Sequence, residues 1–448
     1  MKKRTIALLL AGALVVSLLG GAALAVEEKN SESPILQTEE MEEPEGESIS
    51  AGEPKSQTEE SVPETEEDTA GEAPEYIPDP AGHVTFQNLD HRMREGNLQI
   101  LSIQENVDIL EEIDYDKLKE DLRLQLNQMA QAQWMMVQFG QTGTLAYEQM
   151  DQAYDAVREQ FEAIKDGDMQ ADNAETIRQL HNLQNQIVMA GEATYIALSA
   201  MEVQKEGLER QLTALDRKLT EMELRYQLGH ISSNTLKQAQ AGRSALSSGL
   251  DTLRMNLNTY KGQLELLIGA EISGGISLGA LPAVAREELE AMNLELDLET
   301  AKANSWDLYQ ATETMKDELE KYNNMGGDSA LEYRMKEASF KRALHNWRSA
   351  KYTYDNTVQN FELGLRNLYL KVQDYQQVLS AARTALAVEQ SSYAAAQLKH
   401  EQGGISANAL LEAKEKVQEA QEKVSSAEND LFSSYNTYRW AVDYGILN

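Results

Sequence analysis

Two short stretches of this chain carry the residue types and spacing best suited to binding chemistry. Gly229-His230-Ile231-Ser232 is followed by Asn234, Leu236 and Ala239, and Gly403-Gly404-Ile405-Ser406 by Asn408, Leu410 and Ala413. Glycine bares backbone, isoleucine offers a small apolar knob, and serine can cap a following helix. The same residues also suit an ordinary Schellman-type helix end with its usual apolar contact. Each stretch therefore reads either as a contact surface or as a plain turn.

Catalytic chemistry has little to work with. The six histidines are His83, His91, His181, His230, His345 and His400. No two are four residues apart, and none sits in an HExxH setting. There is no P-loop, no GxGxxG after a strand and no GxSxG. The chain has no cysteine, which excludes disulfides and cysteine-ligated metal. Trp134, Trp306, Trp347 and Trp440 read as packing residues. The expectation is a protein with no catalytic residue, no cofactor and no metal site, hence no enzyme. A net charge of −34 also excludes nucleic-acid binding by electrostatics.

The elements that must hold the two turns are long helices. Met1-Lys2-Lys3-Arg4, the apolar run from Ile6 and Ala23-Leu24-Ala25 form a signal peptide over residues 1–25, to be cleaved or kept as an anchor. Residues 26–80 hold 19 acidic and 2 basic side chains, a charge of −17, with seven of the eight prolines. Such a segment cannot bury enough apolar surface to offset its ordering, so it reads as a disordered, extended linker. His83-Val84-Thr85-Phe86 reads as briefly extended and Thr85 as the cap of a short helix through Met93, and from about Leu98 the pattern is helical: Asp116 to Phe139, Leu145 to Lys165, Ala174 to Leu228, Ser233 to Ile268, Arg286 to Tyr322, Leu331 to Gln402, and a last helix after Ser406. Residues 269–285, rich in glycine and containing Pro282, connect the two halves. Leu246, Leu250, Leu253, Leu257, Tyr260, Leu264 and Leu267 alternate in steps of four and three, which is a heptad seam.

The halves share one phase. Leu236, Leu250, Leu257 and Leu264 fall 174 residues before Leu410, Val424, Leu431 and Tyr438; Arg243, opposite Val417, breaks the match. The predicted fold is all-α, two copies of a long antiparallel coiled-coil hairpin over 81–268 and 286–448, with little or no β structure. Four such columns could close as a slender bundle or form one segment of a larger ring. Periodicity does not choose between them.

Arg225-Tyr226 through Ala239 resembles the signature of the TolC-like outer membrane efflux proteins, and Leu398 through Ala413 looks like its second copy. Asn97-Leu98 and Asn304 through Leu308 look like the segments that open each repeat. The resemblance implies a trimer whose helices form an export tunnel. It implies that the turns are hairpin tips, with Gly229, His230, Ile231, Ser232, Gly403, Gly404, Ile405 and Ser406 touching a membrane fusion (adaptor) protein, and through it an ABC-type or proton-driven pump. The implied location is the cell envelope. Two acidic positions that often narrow the tunnel fall on Ala409 and Glu412, so only Glu412 remains as a possible constriction. The family's membrane strands have no counterpart here: Asp166 to Asn173 and Asn323 to Asp328 are too short, and residues 145–165 keep helical spacing. A non-channel coiled-coil spacer of the cell envelope is the alternative.

Overall fold

The computed structural model describes residues 78–447. The segments read as signal peptide and acidic tail lie outside them, apart from Pro78, Asp79 and Pro80. Strand β1 (His83–Val84) precedes α1 (Phe86–Gly96), α2 (Leu98–Glu111), α3 (Tyr115–Gln138), α4 (Leu145–Asp166) and α5 (Asp168–Gln227). Next come α6 (Ser233–Leu267) and strand β2 (Ser277–Leu278). The second half holds α7 (Arg286–Ala291), α8 (Leu294–Asn304), α9 (Trp306–Asn324), a 3-10 turn (Gly327–Ala330), α10 (Leu331–Arg334), α11 (Ala338–Glu401) and α12 (Ala407–Tyr444).

Three sequence expectations need correction. The stretch from Arg286 to Tyr322 is three helices, because Asn293 and Ser305 each turn their side chain back to cap a new start. The long helix before the second tip begins at Ala338 rather than Leu331, after the short α10 and a break. Thr85 does not cap α1. Its hydroxyl donates to Asp79, whose carboxylate also accepts from the Thr85 amide and from Asn88.

The two repeats are held at matching points. Asn97 Nδ2 donates to the Leu267 carbonyl near the end of α6, at 2.9 Å. Asn304 Nδ2 donates to the Val442 and Asp443 carbonyls near the end of α12, at 3.1 and 3.0 Å. The connector joins the first repeat through β1 and β2, which pair in parallel. Tyr195 bridges that pair, its hydroxyl lying 3.0 Å from the Val84 carbonyl and 2.8 Å from that of Gly279. Glu265, fully buried, clamps the connector by accepting from the Ser273 and Gly274 amides and the Ser273 hydroxyl. Burial would raise its carboxyl, but these hydrogen bonds outweigh burial and hold it below the ordinary value.

The long helices form an open row in the order α6, α5, α12, α11. α5 packs on α6, α12 on α11, and α5 on α12, while the outer columns α6 and α11 make no extended contact. The slender closed bundle is therefore not what forms within one chain. Core clusters occupy the half of each hairpin away from its tip, around Leu198, Leu253 and Leu257 in the first and Leu365, Val372 and Leu431 in the second. Nearer the tips no residue from 220 to 249 or from 380 to 419 is buried, although the heptad seams run straight through.

Candidate docking surface at the hairpin tips

Both tips are built by the same bonds. α5 ends with Leu228, then Gly229 at φ +74°. The Gly229 amide donates to the Tyr226 carbonyl and the His230 amide to that of Arg225. At the second tip Gly403 has φ +72°, its amide donates to the His400 carbonyl, and the Gly404 amide donates to that of Lys399. These are two complete Schellman ends, satisfying carbonyls that a helix terminus would leave unpaired. A Cβ on Gly229 or Gly403 would meet nothing within 4 Å, so glycine is needed for its positive φ and not for space. Ser232 Oγ then accepts from the Thr235 amide, and Ser406 Oγ from that of Ala409, as N-caps. The glycine and serine positions thus serve ordinary helix ends and caps.

The two tips lie side by side at one end of the row. Arg217, twelve residues before Gly229, pairs with Glu415, twelve residues after Gly403. Arg210 and Glu422 repeat the pairing one heptad further from the tips. The α5–α12 contact is therefore antiparallel and in register, with both turns at equal height.

No family model matches this chain, and no curated protein matches it. Among solved structures it is similar to the CmeC outer membrane channel of Campylobacter jejuni, at 13% identity and TM-score 0.46, over 66% of this chain and 68% of that one. It is also similar to the outer membrane protein VceC of Vibrio cholerae, at 11% and 0.45, over 80% and 96%. A third is the MtrE outer membrane channel of Neisseria gonorrhoeae, at 13% and 0.40, over 80% and 89%. These likenesses are weak in sequence and in superposition.

Ile231 and Ile405 are half-buried. Exposed apolar side chains at the tips include Leu228, next to Gly229, and the repeat-related pair Leu224 and Leu398, 57% and 60% accessible, each five residues before its glycine and 174 apart. The repeat offset could have found this pair, but both lie off the seam and so escaped a reading based on periodicity. Gly229, His230, Ser232, Gly403, Gly404 and Ser406 are exposed.

Glu412 is exposed on α12, one turn after the half-buried Ala409. Among the described residues no group of three His, Asp or Glu could hold a metal. The groove between α9 and α11, lined by Asp307, Gln310, Thr314, Glu318, Asn346, Ser349 and Thr353, is open. A perturbed carboxylate lies away from the tips. Glu192 is buried between α5 and α12, accepting from Trp440 Nε1 at 2.6 Å and Asn436 Nδ2 at 2.7 Å. Burial pushes it above its ordinary value against the pull of those two bonds. It ties the repeats together and lines no recess.

Proposed function

We propose that this chain is the helical conduit component of an efflux or export system in the cell envelope. Copies, three by the family resemblance, join their four-helix rows into a ring. The paired tips dock an adaptor protein, and through it an ABC-type or proton-driven pump. The observation that carries this reading is the open row with unburied heptad seams. Apolar residues at heptad positions are buried in a stable coiled coil. Here Leu236, Leu386 and Leu410 are only half-buried, and Leu363, Leu370 and Val388 on the outer column α11 are exposed. Side-by-side copies would cover α11 with a neighbour's α6 and leave a polar lumen. Glu412 is the candidate constriction near the docking end.

Docking at the tips rests on their equal height and on the twin leucines. Light scattering of the purified chain should give a small closed oligomer, and a stable monomer would sink the conduit. Leu224→Asp with Leu398→Asp should abolish co-purification with an adaptor from the same cell while leaving oligomer size and helicity intact. Unchanged co-purification would place docking away from the tips.

A further inference from the structure

The hairpin of α3 and α4 is not absorbed by this reading. Its base lies at the start of α5, where Asn173 Nδ2 donates to the Tyr115 hydroxyl at 2.7 Å. That is the end of the 60-residue α5 away from Gly229, about 90 Å from the tip at 1.5 Å per residue. The inner faces of the hairpin pair with each other: Leu122, Leu126, Met129 and Met136 on α3 and Tyr147, Met150, Tyr154 and Phe161 on α4 are buried or half-buried. At the apex a second apolar set points outward. Trp134 is 62% exposed, Phe139 79% and Leu145 69%, with Met135 and Val137 beside them. Scattered single apolar side chains are normal on a surface, but five within twelve residues at one end are a patch. The expectation that all four tryptophans are packing residues fails at Trp134 alone; Trp306 and Trp440 are buried, and Trp347 stacks on Tyr322.

The charge pattern says what meets this patch. Residues 124–147 contain no Asp, Glu, Lys or Arg, in a chain that is 25% charged and carries −34 overall. A stretch of that length would ordinarily hold about six charges. The apex is thus the one long part of an acidic body that can enter a neutral apolar phase without burying a charge. Glutamine and threonine, at Gln131, Gln138, Gln141 and Thr142, supply neutral hydrogen-bonding groups around it. A protein partner or a second copy would need 20–30 residues a side for a standard interface, and the apex offers about ten. Its apolar depth, Trp134 to Gln138, is about 6 Å of helix, which matches the roughly 5–10 Å to which interfacial helices sink into a bilayer. Tryptophan and phenylalanine favour that layer. No helix among the described residues is long and apolar enough to cross a membrane.

We propose that the α3–α4 apex seats in the interfacial layer of a lipid membrane through Trp134, Phe139 and Leu145. The lipid it takes is zwitterionic, since the apex has no basic residue to attract anionic headgroups and the acidic body is repelled by them. The test uses the full chain and phosphatidylcholine vesicles carrying brominated acyl chains. Trp134 emission should shift to the blue and be quenched, independently of salt, and Trp134→Phe should remove the quenching. Phe139→Gln with Leu145→Gln, both at exposed positions, should weaken Trp134 insertion about tenfold at unchanged helicity. Equal quenching in the wild type and Trp134→Phe overturns the proposal, even if the chain binds vesicles through its N-terminus. So does a Trp134 shift that grows with protein concentration without lipid, which would make the occupant a second copy.

Discussion

The two repeats are alike at their tips and unlike at the ends away from them. At the far end of the second repeat, Tyr322 stacks on Trp347 at 5.3 Å and packs against Phe340 at 5.5 Å, and its hydroxyl donates to Asp328 at 2.9 Å. The 3-10 turn closes over this cluster, and Phe340 and Ala330 are fully buried. At the far end of the first repeat the aromatics of the apex point outward, and a whole extra helical hairpin carries them. Each tip has the same two Schellman hydrogen bonds and the same serine cap, and the second adds a contact of His400 Nδ1 with the Ile405 carbonyl at 3.0 Å. Duplication has kept one end of each hairpin under a common geometric demand. The other ends have diverged, one into a sealed plug and one into a bare apolar apex.

Truncating an aromatic at each end is the sharpest way to break that contrast. Phe340→Ala should cost about 3–5 kcal/mol, because it opens a cavity in a cluster with no access to water. Phe139→Ala should change stability by less than about 0.5 kcal/mol in the absence of lipid. Denaturant midpoints with unchanged slopes would measure both. A comparable loss at Phe139 would show that the first apex is packed in solution and is not a free surface.

A smaller effect separates the repeats midway along the hairpins. Glu192 falls 174 residues before Arg366, so one repeat buries an acid where the other exposes a base paired loosely to Glu295. Glu192→Ala should cost about 2 kcal/mol by leaving Trp440 and Asn436 without an acceptor. Glu192→Gln keeps the acceptor and removes the buried charge. The sign of its pH dependence follows from the raised carboxyl. The folded state holds a proton more tightly than the unfolded one, so the wild type gains stability as pH falls through the folded value toward the ordinary 4.5. The Gln variant should therefore be the more stable at neutral pH and lose that advantage as pH approaches 4.5. An advantage that stays constant with pH would mean that Glu192 does not titrate differently on folding.

Much of this was legible in the residues. Gly229 and Gly403 end helices because only glycine takes their φ cheaply, and Ser232 and Ser406 cap because little else at those positions can. The helical spacing of Tyr147, Met150, Tyr154, Val157 and Phe161 marked α4 as a helix. The breaks at Asn293 and Ser305 were not legible, since the same residue types also sit inside helices here, as Asn185 and Ser244 do. Pairing of His83–Val84 with Ser277–Leu278 spans about 190 residues and leaves no local signal. Periodicity gave the seam but not its occupancy: Leu236 and Leu410 lie on it and are only half-buried, and Leu224 and Leu398 lie off it and are bare.

The smallest effect concerns how the chain tells its two hairpins apart. Glu209 on α5 pairs with Arg254 on α6 at 2.8 Å, and Arg383 on α11 pairs with Glu428 on α12 at 2.9 Å. These are the same two positions, 174 residues apart, with the charges exchanged. A first helix paired with the wrong second helix would set Glu209 against Glu428 and Arg383 against Arg254. Both pairs are largely exposed, so each is worth no more than about 0.5 kcal/mol in the folded state. Arg383→Glu should destabilise by about that amount, and adding Glu428→Arg should restore it to within a few tenths. The double variant, however, has the polarity of the first repeat in both hairpins. Its equilibrium stability should match the wild type while its refolding yield falls, because the electrostatic bar to helix exchange is gone. An undiminished yield would show that the exchange of charges is incidental and that the connector alone keeps the hairpins apart.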